Sequence, residues 1–107
     1  KLVNSCDIGL STVMIKSKIF ENQKYKFPKL VTKEDYVLWM NMAKNGIIIN
    51  GINENLTSWR RSKNSLSSSI LQKLIDGYKV YRVHLRYGRL KSFYYLIRLS
   101  VNFILKN

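Results

Sequence analysis

The apolar positions of this 107-residue chain fall into runs whose spacing changes along its length. Tyr36, Val37, Met40 and Ala43 recur at helical spacing, and Leu38, Trp39 and Met42 fill the opposite side. The pattern predicts a helix that is apolar nearly all round and lies deep in the fold. Thr32 suits its N-cap, Asp35 stands three positions later as in a capping box, and Lys44 followed by Asn45-Gly46 supplies the stop. Ile47-Ile48-Ile49 and Leu56-Thr57-Ser58-Trp59 read as short strands, with Asn50-Gly51 and Asn53 as turn chemistry between them. Ile70, Leu71, Leu74, Ile75, Tyr78 and Tyr81 then return to helical spacing, with Gly77 marking a bend or a close helix contact. Leu90, Phe93, Tyr94, Ile97, Val101, Ile104 and Leu105 form the stripe of a last helix, and Gly88 sets it off so that the two helices can pair as a hairpin.

The size and the 46% hydrophobic content fit one folded domain, and a lone proline argues against disorder. A single Cys6 excludes an internal disulfide and fits a small apolar or half-exposed residue in a reducing compartment. With His84 as the one histidine, no Cys/His zinc site can be assembled. No signal peptide is visible, and no apolar run approaches the ~20 residues of a membrane span.

Charge changes the picture more. The formal net charge is +13, and it is uneven, since residues 55–107 hold Asp76 as their sole acid. Three readings fit the basic, aromatic tail: its stripe packs on the domain, it attaches to an anionic membrane surface, or it self-associates as a homodimer. A basic nucleic-acid-binding module is the rival of another class, but helix-turn-helix spacing, zinc-finger ligands and RNP-like aromatics are all missing.

Two places carry candidate chemistry. Glu34 and Asp35 are either helix-start acids stabilised by the dipole, or include a carboxylate that serves as general base for an incoming hydroxyl. Arg60, Arg61 and Lys63 precede the serine-rich 64–69 segment and a helix start. Guanidinium groups, hydroxyls and free backbone N–H groups together make an anion site suited to a diphosphate. The alternative is that Ser65 or Ser67 is merely the cap and the arginines are solvated.

The order Ser11-Thr12-Val13-Met14-Ile15 (a strand), Phe27-Pro28, Glu34-Asp35-Tyr36-Val37-Leu38-Trp39, Ala43-Lys44-Asn45-Gly46, Ile52-Asn53-Glu54-Asn55-Leu56 and Trp59-Arg60-Arg61-Ser62 through Ser67 resembles the C-terminal part of bacterial family-2 glycosyltransferases, over about residues 8–85. The resemblance implies an α+β (α/β fragment) fold, the acceptor-side portion of a GT-A nucleotide-diphospho-sugar transferase with a helical C-terminal extension. Residues 1–64 would form the α/β portion and residues 65–107 the basic helical extension, in one domain. It also implies inverting transfer from a nucleotide-sugar donor to a hydroxyl of a glycan or lipid-linked acceptor, as in cell-surface polysaccharide or lipopolysaccharide synthesis. Asp35 would be the catalytic base, Glu34 would orient acceptor hydroxyls and Trp39 would line the acceptor pocket. Arg60 and Arg61, with Ser65 and Ser67, would approach the donor diphosphate. The family's divalent metal, manganese or magnesium, sits on an aspartate-x-aspartate motif in an N-terminal nucleotide-binding half, and these 107 residues contain no such motif. The expectation is therefore a fragment, consistent with Lys1 as first residue, that is inactive alone. Its parent would be cytoplasmic, and peripheral attachment at the inner face of the cell membrane is what the membrane reading of the tail adds.

Overall fold

A computed structural model describes residues 1–60, 62, 63, 65 and 69–106. Its regular elements are helical: 3-10 turns at Leu2–Asn4 and Leu10–Thr12, a single turn α1 (Lys18–Glu21), then α2 (Glu34–Lys44), α3 (Ile70–Lys79) and α4 (Arg89–Lys106). A π-helical stretch, Val80–His84, continues α3 toward the turn before α4.

Helix α2 is the centre of the molecule, as its all-round apolarity predicts. One side, Tyr36 and Met40, packs with Val80, Tyr81 and Leu99 from the C-terminal helices. The other, Leu38, Trp39 and Met42, packs with Tyr25 and with Ile8, Val13, Ile15 and Ile19 of the N-terminal segment. A helix between two apolar clusters needs no polar face. Its end is a Schellman motif: Gly46 takes φ +80°, its N–H donates to Ala43 and that of Ile47 to Met42. Ile47 then packs against the Met42 cluster, which completes the motif's hydrophobic contact.

The two halves of the chain are stitched through tyrosines. The Tyr36 hydroxyl donates to the Leu2 carbonyl, and the Tyr81 hydroxyl donates to the Val3 carbonyl at 2.8 Å. The two phenolic oxygens lie 3.3 Å apart in the core, and each proton is already committed to a carbonyl. Burial, with Tyr81 adjacent, pushes the Tyr36 phenol far above its ordinary range. Tyr81 also stacks with Tyr87 and Tyr95, so α3, the turn and α4 share one aromatic cluster.

Helices α3 and α4 pair as the hairpin that Gly88 suggests. A Cβ at Gly77 would stand 2.9 Å from Leu96 Cδ1 and 3.6 Å from Lys33 Cε, so this glycine is where α4 and the chain entering α2 approach α3. Ser92, fully buried on α4, is a second small residue on the inward side. Ser69 caps α3, its hydroxyl accepting from the Gln72 N–H at 3.3 Å.

Three expectations about local structure change. The runs at 11–15, 47–49 and 56–59 form no strand, and no strand occurs among the described residues. Around Val13 the alternation is real, with Val13 and Ile15 half-buried against α2 and Met14 exposed, but no neighbouring segment supplies a ladder. Ile48, Ile52, Leu56 and Trp59 are exposed in an irregular segment. The cap of α3 is Ser69 rather than Ser65; Ser67 lies outside the described residues.

The third change concerns the start of α2. Lys33 is its N-cap, in the left-handed region at φ 65°, with no side-chain cap. Thr32 is engaged elsewhere, as its N–H and its hydroxyl both donate to Asp76 Oδ2 at 2.9 Å. Asp35 accepts from the Tyr36 N–H at 2.7 Å instead of reaching back to Thr32. Asp76 takes the Thr32 N–H that the Asp35 carboxylate would accept in a capping box, and it draws the Thr32 hydroxyl as a donor as well, so the box does not form.

Candidate functional site: a cleft at the start of helix α2

The acidic pair stands on the rim of a cleft of about 920 Å³. Three parts of the chain enclose it: Ser5, Cys6 and Asp7; the Val31–Asp35 approach to α2; and the facing sides of α3 and α4. Ile70, Leu74, Leu96, Leu99, Phe103 and Ile104 make its helical walls apolar, whereas Lys33, Glu34, Asp35, Asp7, Lys73 and Lys106 make its rim charged. A site of this kind orients a molecule with a polar end toward the carboxylates and accommodates apolar or sugar-ring surface behind it.

Several rim groups are held by specific neighbours. Glu34 and Asp35 are half-buried in the first turn of α2, and the left-handed Lys33 backbone aims that turn. For a residue with a Cβ this conformation costs ~1–2 kcal/mol, a strain typical of segments fixed by their surroundings. Asp7 accepts from Ser5 at 2.6 Å and pairs with Lys106, whose ammonium also donates to Ser5 at 2.7 Å. The Lys106 and Ser5 hydrogen bonds hold the Asp7 carboxyl below its ordinary range, against a small opposing effect of burial. Lys73 lies over the Phe103 ring, 5.3 Å from its centroid. Cys6 is open to solvent on one side, yet the surrounding protein pushes its thiol up to about 11, with Lys33 opposing and Asp35 adding to the rise. A thiol so raised is a poor nucleophile near neutral pH.

Asp76, which sequence reasoning left without a role, fixes the approach to this site. It is 1% exposed, and Oδ2 accepts from the Thr32 N–H, the Thr32 hydroxyl and the Gln72 side-chain amide, the last at 3.0 Å. Lys79 Nζ is 4.0 Å from Oδ1, which accepts no hydrogen bond from the described residues. Burial pushes the carboxyl up, but the donors on Gln72 and Thr32 and the Lys79 charge together hold it below the usual carboxylate range. Asp76 thus anchors α3 to the residue two positions before Glu34. The signal for it was available: a lone acid in a basic half, four residues after Gln72 and next to a glycine.

Of the remaining predicted site residues, those that are described lie apart from the cleft. Trp39 is buried in the Tyr25, Leu38 and Met42 cluster, with its indole N–H donating to the Ile8 carbonyl at 3.3 Å. It supports α2 from behind rather than lining the cleft. Arg60 is exposed and does not line the cleft; Ser65 is half-buried and also stands outside its wall. Arg61 and Ser67 lie outside the described residues. Among the described residues no three His, Cys, Asp or Glu side chains come together as a metal site. No described helix is long and apolar enough to cross a membrane.

No protein-family model matches the chain, and no solved structure does. The chain is similar to the "Putative teichuronic acid biosynthesis glycosyltransferase TuaG" of Bacillus subtilis (strain 168), with 28% identity over 99 residues. That alignment covers 92% of this chain and 38% of the relative, so the chain spans less than half of the relative's length.

Proposed function

We propose that this chain is the acceptor-side part of an inverting, family-2-like glycosyltransferase of GT-A type, and that Asp35 is its catalytic base. The observation that carries this reading is the placement of Glu34 and Asp35, half-buried at the mouth of a large cleft, within a sequence similar to a glycosyltransferase. In this reading an acceptor hydroxyl donates to an Asp35 carboxylate oxygen. Asp35 takes its proton as the hydroxyl oxygen attacks the anomeric carbon, and the bond to the nucleotide diphosphate breaks. Glu34 holds a neighbouring acceptor hydroxyl, and Lys33 and Lys73 at the rim favour an anionic donor nearby. A divalent metal of the family would offset charge on the departing diphosphate; no step is assigned to it among these residues. The relative is named for teichuronic acid biosynthesis, and the acceptor class proposed for this chain is a glycan or lipid-linked acceptor of cell-surface polysaccharide synthesis.

The test is sugar transfer by the intact protein, with a panel of nucleotide sugars and manganese or magnesium, in wild type and Asp35→Asn. Donor-dependent transfer that is lost in a folded Asp35→Asn protein supports the assignment. A mutant retaining near-normal rate rejects Asp35 as base, and a folded wild-type protein that turns over no donor rejects the transferase reading.

A further inference from the structure

Helices α3 and α4 are turned inside out relative to their own sequence pattern. The residues α3 sets against the molecule are Asp76, Gly77 and Val80, while Ile70, Leu71, Leu74 and Ile75 are exposed, Ile70 by 74%. On α4 the inward residues are Ser92, Tyr95 and Leu99, and the stripe from Leu90 to Leu105 points outward, Leu90 being 89% exposed. Ile70, Leu74 and Ile104 line the cleft beside the start of α2, whereas Leu71 and Ile75 of α3 and Leu90, Phe93, Ile97 and Val101 of α4 are exposed outside its wall. The α4 stripe alone runs about 22 Å at 1.5 Å per residue. Apolar patches of this size on a soluble surface mark an interaction site.

Charge identifies what covers it. Every charged side chain on 70–106 except Asp76 is cationic, and Asp76 is buried. Lys91 and Arg98 flank the α4 stripe, with Arg98 donating to the Tyr94 hydroxyl at 3.3 Å and Lys91 over the Tyr87 ring. A second copy would bring cations against cations. An anionic lipid surface satisfies both features: acyl chains accept Leu90, Ile97 and Val101, tyrosine and phenylalanine suit the headgroup level, and the flanking cations meet lipid phosphate. We infer that the outer faces of α3 and α4 dock this protein on an anionic membrane surface, lying in its plane without crossing it. This inference does not depend on the transferase reading.

The experiment is flotation of the intact protein with vesicles of phosphatidylcholine alone and of phosphatidylcholine mixed with phosphatidylglycerol. Binding to the mixed vesicles, weakened by salt and by Lys91→Gln/Arg98→Gln by about tenfold, is the expected result. Ile97→Glu/Val101→Glu changes two exposed positions and should abolish flotation while leaving the helical circular dichroism and melting intact. Failure of the wild type to float overturns the inference, as it would if another part of the intact protein, or a second copy detected by light scattering, covers the face. Equal binding to neutral vesicles overturns the electrostatic half of the argument.

Discussion

Replacing Asp76 by alanine tests the claim that one buried carboxylate sets the approach to α2. Its Oδ2 receives three donors, two from Thr32 at 2.9 Å and one from Gln72 at 3.0 Å. Hydrogen bonds to a charged group contribute ~1.5–3 kcal/mol each, but they do not add here. The half-exposed Gln72 amide can turn to water and the Thr32 hydroxyl can rotate, whereas the Thr32 N–H is fixed by the backbone. Lys79 is half-exposed and 4.0 Å away, which makes its share small, at most ~1 kcal/mol. Asp76→Ala should therefore destabilise by ~3 kcal/mol, the low end for breaking a buried charged network. For a domain of this size that lowers Tm by ~12–24 °C.

Two further variants isolate the cause. Asp76→Asn can keep an acceptor at the Oδ2 position but places an amide donor where Oδ1 has no hydrogen-bond partner among the described residues, for a cost of ~1–2 kcal/mol. Thr32→Val removes one hydroxyl bond and costs ~1 kcal/mol. The pH profile supplies an independent check. Because the folded carboxyl titrates below its usual range, its contribution is fully present above the unfolded pKa near ~3.9 and is lost as pH falls through the folded value. Wild type should lose stability below about pH 4 more steeply than Asp76→Asn. Urea titrations of the set measure all of this. An Asp76→Ala cost under ~1 kcal/mol, or an identical acid limb in Asp76→Asn, would refute the anchoring role.

Gly77→Ala should destabilise by ~1 kcal/mol although alanine is the better helix former, because its Cβ must displace Leu96 Cδ1 from 2.9 Å; a melting temperature above wild type would show that α4 yields freely. Tyr36→Phe should cost ~1–1.5 kcal/mol by orphaning the Leu2 carbonyl, measured by chemical denaturation. Lys33→Gly should raise stability by a few tenths to ~1 kcal/mol by relieving the left-handed N-cap, minus the packing of its stem on Gly77; a large loss would show that the stem, not the backbone, dominates. Asp35→Asn should leave the melt within ~1 kcal/mol of wild type while abolishing transfer, read by donor turnover and circular dichroism together.

What the sequence made legible was whatever is decided within one turn of chain. The span of α2, its burial and its Gly46 stop follow from residues at most four apart, as do the extents of α3 and α4 and the close contact at Gly77. The capping box at Thr32 failed because its competitor lies 44 residues away, and nothing in the 32–35 tetrad announces Asp76. The extended runs failed for a similar reason: alternation at Val13 and Ile15 is local, but a ladder requires a partner, and the described residues offer none.

The orientation of the C-terminal helices is the most instructive case. Periodicity locates an apolar stripe but is silent about which surface it meets. Small inward residues, Gly77 and Ser92, let α3 and α4 come together by a side the stripe does not mark, and the Asp76 hydrogen bonds fix that side against Thr32. A conventional inward packing would bury Ile97 and Val101 and leave Asp76 to water, dissolving the link that holds Glu34 and Asp35 at the cleft. The same buried acid therefore ties the approach to the candidate site to the side of α3 that faces the molecule. On this argument Asp76→Ala should weaken vesicle flotation as well as stability, whereas Ile97→Glu/Val101→Glu should weaken flotation alone; equal effects of the two on the urea midpoint would separate the helix orientation from Asp76.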